Sequence, residues 1–136
     1  MKDTGIASLV KIGPVTVVSP HCSSLMDDRD WTPFVAQLRA HAEDGQAVHV
    51  LLDLQWVKHI SIRFVTELEE FIRELVVRGS TLRLCGVRDQ LRDIFKLVCL
   101  EHLDLGKSVP DALPRYVALL GNSTRDREEC FSDTAN

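Results

Sequence analysis

Asp53, His59 and Ser61 stand close together in the chain and supply the acid, base and nucleophile of a hydrolytic triad. Neighbours along one short loop do not fold back into triad geometry, and neither a Gly-x-Ser-x-Gly elbow nor an oxyanion hole is written around them. Asp27, Asp28 and Asp30 suggest a metal loop, yet they lack the EF-hand spacing and its terminal Glu, so a solvated acidic loop is expected. His49 interrupts an apolar run and reads as a partly buried, hydrogen-bonded strand residue. Cys22, Cys85, Cys99 and Cys130 are far apart and form no CxxC pair, which argues against a zinc knuckle or redox motif. Cys85 and Cys99 are expected to serve as small core hydrophobes. No Gly-rich phosphate cradle is present either. The expectation is a chain without cofactor, metal or enzymatic activity.

Recognition chemistry remains, concentrated between Trp56 and Thr66. Ser61 precedes an amphipathic run and suits a helix N-cap, its hydroxyl accepting from a free N–H of the next turn. A regulatory phosphate at Ser61 is the alternative, because the helix N-terminus stabilises a dianion and Arg63 is near enough to pair with it. Arg63 itself opposes the helix dipole, which calls for a compensating acid from this chain or from a partner. Trp56 either anchors a partner or covers the sheet edge. The candidate partner-binding residues are therefore Trp56, Lys58, His59, Ser61, Ile62, Arg63 and Thr66.

The elements that must position these residues follow from periodicity. Ala7 to Ile12 and Val15 to Val18, parted by Gly13-Pro14, predict a hairpin. Ser23 to Asp30 reads as loop, and Trp31, Phe34, Val35, Leu38 and Ala42 recur at helical spacing until Gly45. Val48 to Leu54 predicts a buried central strand, followed by a crossing loop and a helix to Val77 with Phe64, Val65, Leu68, Phe71, Ile72, Leu75 and Val76 on one face. Thr81 to Cys85 predicts a strand, Gln90 to Cys99 a helix, His102 to Leu105 a short last strand and Val109 to Leu120 a closing helix. Strand, helix and strand alternate, so an α/β fold is expected: a mixed, mostly parallel four- to five-stranded sheet with about four packed helices. Sites in such sheets gather at the carboxyl ends of the strands, where Trp56 to Thr66 lie.

Composition narrows the partners. The 136 residues suit one domain, expected over 1–121, with a disordered polar tail over 122–136. A formal charge of −4, from 16 basic and 20 acidic residues, with no basic stripe, gives little attraction to nucleic acid or anionic membranes. The amino-terminal residues carry no apolar signal segment, and no run approaches the roughly 18 apolar residues of a membrane span. A cytoplasmic protein with reduced thiols that meets other proteins is expected.

The strand ending in Asp53-Leu54, the Val57-x-x-Ile60 approach to a helix, and Gly79-Ser-Thr-Leu-Arg-Leu-Cys-Gly-Val87 followed by a Leu91-x-x-Ile94-Phe95 helix together resemble the STAS domain family. That family includes anti-sigma-factor antagonists, stressosome subunits and the cytoplasmic ends of sulfate transporters. The resemblance spans roughly Ile6 to Leu120. It implies a partner-switching module whose partner is a serine-kinase anti-sigma factor or other STAS subunits, with a homo-dimer compatible. In typical members the loop before the second helix reads Asp-Ser-Ser/Thr-Gly-Leu, its first hydroxyl residue being the kinase target. Here Ser61, Ile62, Arg63 and Phe64 occupy those four places, and none matches. Ile62 has no hydroxyl to phosphorylate and Phe64 has none of glycine's freedom, so the motif is degenerate. Two other readings stay open: a constitutive scaffold or stressosome-type subunit without a phosphoswitch, and a sensor of a small ligand such as a lipid or nucleotide.

Overall fold

The computed structural model describes residues 2–3, 6–43 and 46–133, with the side chains of 6–43 and 46–121. A short edge strand, β1 (Lys2–Asp3), pairs antiparallel with β2 (Ala7–Ile12), which turns back into β3 (Val15–Pro20). Ile12 faces Val15 across the turn, leaving Gly13-Pro14 as the two-residue connection, and Gly13 takes the positive φ of 61° that such a hairpin needs at its first position. β4 (Ser24–Leu25) follows, then helix α1 (Asp28–Ala42), the central strand β5 (His49–Asp53), β6 (His59–Ile60) and helix α2 (Ile62–Val77). Strand β7 (Thr81–Cys85), helix α3 (Asp89–Leu97), a 3₁₀ turn (Glu101–Leu103) and helix α4 (Val109–Asp133) complete the order.

The main sheet is mixed and runs β1-β2-β3-β5-β7, antiparallel at its amino-terminal edge and parallel from β3 onward. β4 and β6 form a separate two-stranded parallel sheet. Side chains alternate across the main sheet, so Val50 and Leu52 enter the larger core beneath α1, α2 and α3, while Leu51 joins Val15, Val17, Cys85, Ala112 and Tyr116 beneath α4. Burial on both faces explains why β5 reads as a continuous apolar run.

Two helices end alike. After α2, Gly79 at φ 78° lets the Ser80 and Gly79 N–H groups reach the carbonyls of Leu75 and Val76 at 2.8 and 3.1 Å. After α3, Cys99 takes the same left-handed backbone, φ 59°, and Leu100 and Cys99 bond back to Phe95 and Lys96. Both are Schellman closures. The second turns Cys99 outward: it is exposed, contrary to the expected core role, while Cys85 is fully buried as expected.

Three further expectations change. The acidic run is not loop throughout, because Asp27 is the N-cap of α1 and Asp28 and Asp30 lie in its first turn, where carboxylates suit the dipole. The short last strand is replaced by the 3₁₀ turn and a lone parallel bridge from Leu84 to Asp104, since Leu103 is needed in the core. The backbone of α4 continues past Gly121 to Asp133. The tail expected to be disordered lies outside the residues whose side chains are described. No helix among the described residues is long and apolar enough to cross a membrane.

Candidate partner-binding edge

β5 delivers the chain to the carboxyl edge of the sheet, where Asp53 fixes the exit. Its Oδ1 accepts from the Gln55 N–H at 3.0 Å, its Oδ2 accepts from the Ser19 hydroxyl at 3.4 Å, and Cys85 approaches Oδ1 at 3.9 Å. Burial and the facing carboxylates push the Cys85 thiol up to about 12. Leu54 and Val57 are fully buried and pin the two ends of the turn between them, which leaves Trp56 at its tip with 63% of its surface exposed.

β6 then runs alongside β4, with Ser24 opposite His59 and Leu25 opposite Ile60. The Lys58 N–H donates to the Ser23 carbonyl at 2.7 Å and the Ser61 N–H to that of Leu25 at 3.1 Å, so this part of the expected crossing loop is a small sheet. Met26 and Ile62 follow the two paired strands and are both about half exposed. Neither Met26 nor the β4 strand was legible as part of the edge; the Leu25-Met26 apolar pair ahead of the acidic run is the signal that marks it.

Ser61 caps α2. Its Oγ accepts from the Phe64 N–H at 3.0 Å, and its backbone holds the extended conformation of an N-cap. The cap seats Phe64, fully buried against Trp31 and Phe34 with ring centroids 6.1 and 6.4 Å away. Arg63 finds its acid within the chain: its guanidinium lies 3.2 Å from Asp28 Oδ2, tying the first turns of α1 and α2. Both side chains are more than half exposed, so the pair contributes little to stability. The Thr66 hydroxyl donates back to the Ile62 carbonyl at 2.8 Å. Lys58 and His59 are exposed, and the Lys58 carbonyl accepts from the Gln90 amide at 3.3 Å.

Asp53, His59 and Ser61 do not converge. The carboxylate and the hydroxyl are engaged as described, and no hydrogen bond joins His59 to either. His49 stands at the opposite end of β5, its Nδ1 2.8 Å from the Thr81 hydroxyl, which lies 2.6 Å from the Tyr116 hydroxyl. Burial and the nearby Arg83 lower the His49 pKa. Among the described residues no cluster of His, Cys, Asp and Glu is arranged to hold a metal ion. Along this edge Trp56, Ile62 and Met26 are apolar and exposed, and Lys58, His59 and Arg63 are exposed as well.

A family model described as the STAS domain matches residues 15–112. Among solved structures, that of the murine anion transporter Slc26a9 in its inward-facing state is similar at 21% identity and a TM-score of 0.64, over 80% of this chain and 18% of the transporter chain. The unphosphorylated anti-sigma factor antagonist SpoIIAA is similar at 14% identity and a TM-score of 0.70, over 82% of this chain and 96% of that chain. The phosphorylated form of SpoIIAA, a Bacillus cell fate determinant, gives 14% identity and a TM-score of 0.65, over 80% and 97%. At these identities the likeness is one of fold. No curated protein sequence matches. The family match runs from the start of β3 into the first turns of α4, which is most of the described structure, and the chain belongs to the STAS domain family.

Proposed function

We propose that this chain is a non-enzymatic interaction module of a partner-switching pathway, resembling anti-sigma-factor antagonists, which binds a protein through the loop before α2 and its first turn. The observation that carries the reading is the exposure of Trp56, Met26 and Ile62 around a capped helix start, where Ser61 and Thr66 already spend their hydroxyls on the backbone. Exposed aromatic and apolar side chains bordered by cations are how interface centres are built. SpoIIAA is an anti-sigma factor antagonist known in phosphorylated and unphosphorylated forms, which makes a serine-kinase anti-sigma factor the natural partner here, with other STAS subunits the second candidate. Ile62 in place of a phosphorylatable residue favours constitutive binding, with Ser61 the hydroxyl in this loop nearest to the usual target.

Titration with the purified kinase partner tests this. Ile62→Asp should weaken binding by about 2 kcal/mol, or roughly thirtyfold, while leaving the melting temperature nearly unchanged. An unchanged affinity would place the contact elsewhere.

A further inference from the structure

Beside this edge, between the turn after β5 and the start of α3, the surface opens into a groove of about 440 Å³ whose polar lining is Gln55, Arg88, Gln90, Arg92 and Lys107 with one acid, Asp89, and whose floor includes Gly86. Its wall is backbone where the chains come closest. Gly86 has φ 70°, and a Cβ there would stand 2.8 Å from the Gln55 nitrogen, so this position takes no side chain without displacing the turn. The Gly86 N–H donates to the Gly106 carbonyl at 2.9 Å, which brings the loop bearing Lys107 up to the groove.

The charges of this groove are unequally answered. Arg92 is held by Asp89 at 3.1 Å and Asp104 at 3.4 Å. Asp111 accepts from the Lys107 backbone N–H and faces Arg115 at 3.8 Å. Among the described residues no carboxylate lies within ion-pair distance of the Arg88 guanidinium or the Lys107 ammonium, and Arg88 Nε is buried without a hydrogen-bond partner. The buried Nε is out of reach from the groove, so a docking carboxylate meets the terminal nitrogens of the guanidinium instead. The chain as a whole carries a formal charge of −4, so two unanswered cations in one concave place are a local departure.

We propose that this groove receives an acidic segment of a protein partner, with carboxylates on Arg88 and Lys107 and the Gln55 and Gln90 amides beside them. The groove adjoins the candidate edge, sharing the turn of Gln55 and Trp56 and the Gln90–Lys58 contact, and rests on the proposed function only in taking its occupant to be a protein. Arg88 forks onto a carboxylate, which fixes orientation, and Lys107 adds attraction that falls with salt.

The test is titration of the intact chain with a short oligo-glutamate peptide, followed by amide chemical shifts, with inorganic phosphate and a matched oligo-serine peptide in parallel. The expected result is saturable oligo-glutamate binding that shifts Gly86 to Gln90 and Lys107. It weakens about tenfold or more in Arg88→Gln and in Lys107→Glu, and on raising salt from about 50 to about 300 mM. Ile62→Asp leaves it unchanged, so failure at the groove and failure at the α2 edge are read separately. Thermal melts of both groove variants confirm the fold. Absence of peptide binding, equal binding of the serine peptide, or equal affinity in folded Arg88→Gln and Lys107→Glu overturns the proposal. Phosphate binding without peptide binding overturns the choice of occupant.

Discussion

At the scale of single residues, the edge is organised by what its polar groups already hold. Ser61 is engaged as a cap, so Ser61→Ala should lower stability by about 1 kcal/mol through the orphaned Phe64 N–H, whereas Ser61→Asp keeps a capping oxygen and loses little. Comparison of their urea midpoints checks this. Arg63 illustrates two opposing terms. Arg63→Glu removes an exposed pair with Asp28 and sets two carboxylates together, yet it also places an acid in a first turn that has none. Each term is worth about 1 kcal/mol or less, so the melting temperature should barely move while partner affinity falls. Cysteine reactivity separates the thiols: at neutral pH iodoacetamide should label exposed Cys99 rapidly and buried Cys85, with its raised pKa, only on unfolding. Peptide mapping reads both. His49 gives the pH dependence. Its folded pKa is lowered, so the folded state resists protonation and loses stability as pH falls below the ordinary value of 6.5, with no contribution above it. The melting temperature should therefore drop more between pH 7.5 and pH 5 in the wild type than in His49→Gln, and equal drops would remove this role.

At the scale of elements, the strongly periodic segments were legible and the short ones were not. α2 has an apolar face, a cap and a glycine closure, all local signals, and it appears where they place it, except that Val76, expected on that face, is 62% exposed. Leu68 is fully buried on that face, so Leu68→Ala should cost roughly 2–5 kcal/mol by opening the core, with binding lost only as folding fails. Chemical denaturation and partner titration on the same variant separate the two effects. The β4–β6 sheet escaped sequence reading because two-residue strands carry no period, and their pairing depends on Ser23 and Leu25 carbonyls meeting a distant loop. The closing of α3 at Cys99 was hidden because the left-handed residue there is not glycine. His102 to Leu105 alternates like a strand, but one bridge to Leu84 is all the main sheet takes from it.

At the scale of the whole molecule, the sheet separates two jobs. One face, under α1 to α3, holds the larger core and presents the start of α2 at the carboxyl edge, while the other is closed by α4 through Ala112 and Tyr116. The fold class was legible because β5 is buried on both faces and its neighbours alternate with helices. The candidate surface was legible in Trp56 to Thr66, but its Met26 flank depends on the pairing of β4 with β6, and the internal acid for Arg63 on the approach of α1 to α2, both of which only the fold creates. The central claim is that the partner sits on this surface, and site-specific photo-crosslinking reads it most directly. A photoreactive residue replacing Trp56, and separately Ile62, is compared in the native host with one at Val77, which is 88% exposed at the far end of α2. Positions 56 and 62 should give the same discrete protein adduct and position 77 none; an adduct at 77 with 56 and 62 silent would contradict the account.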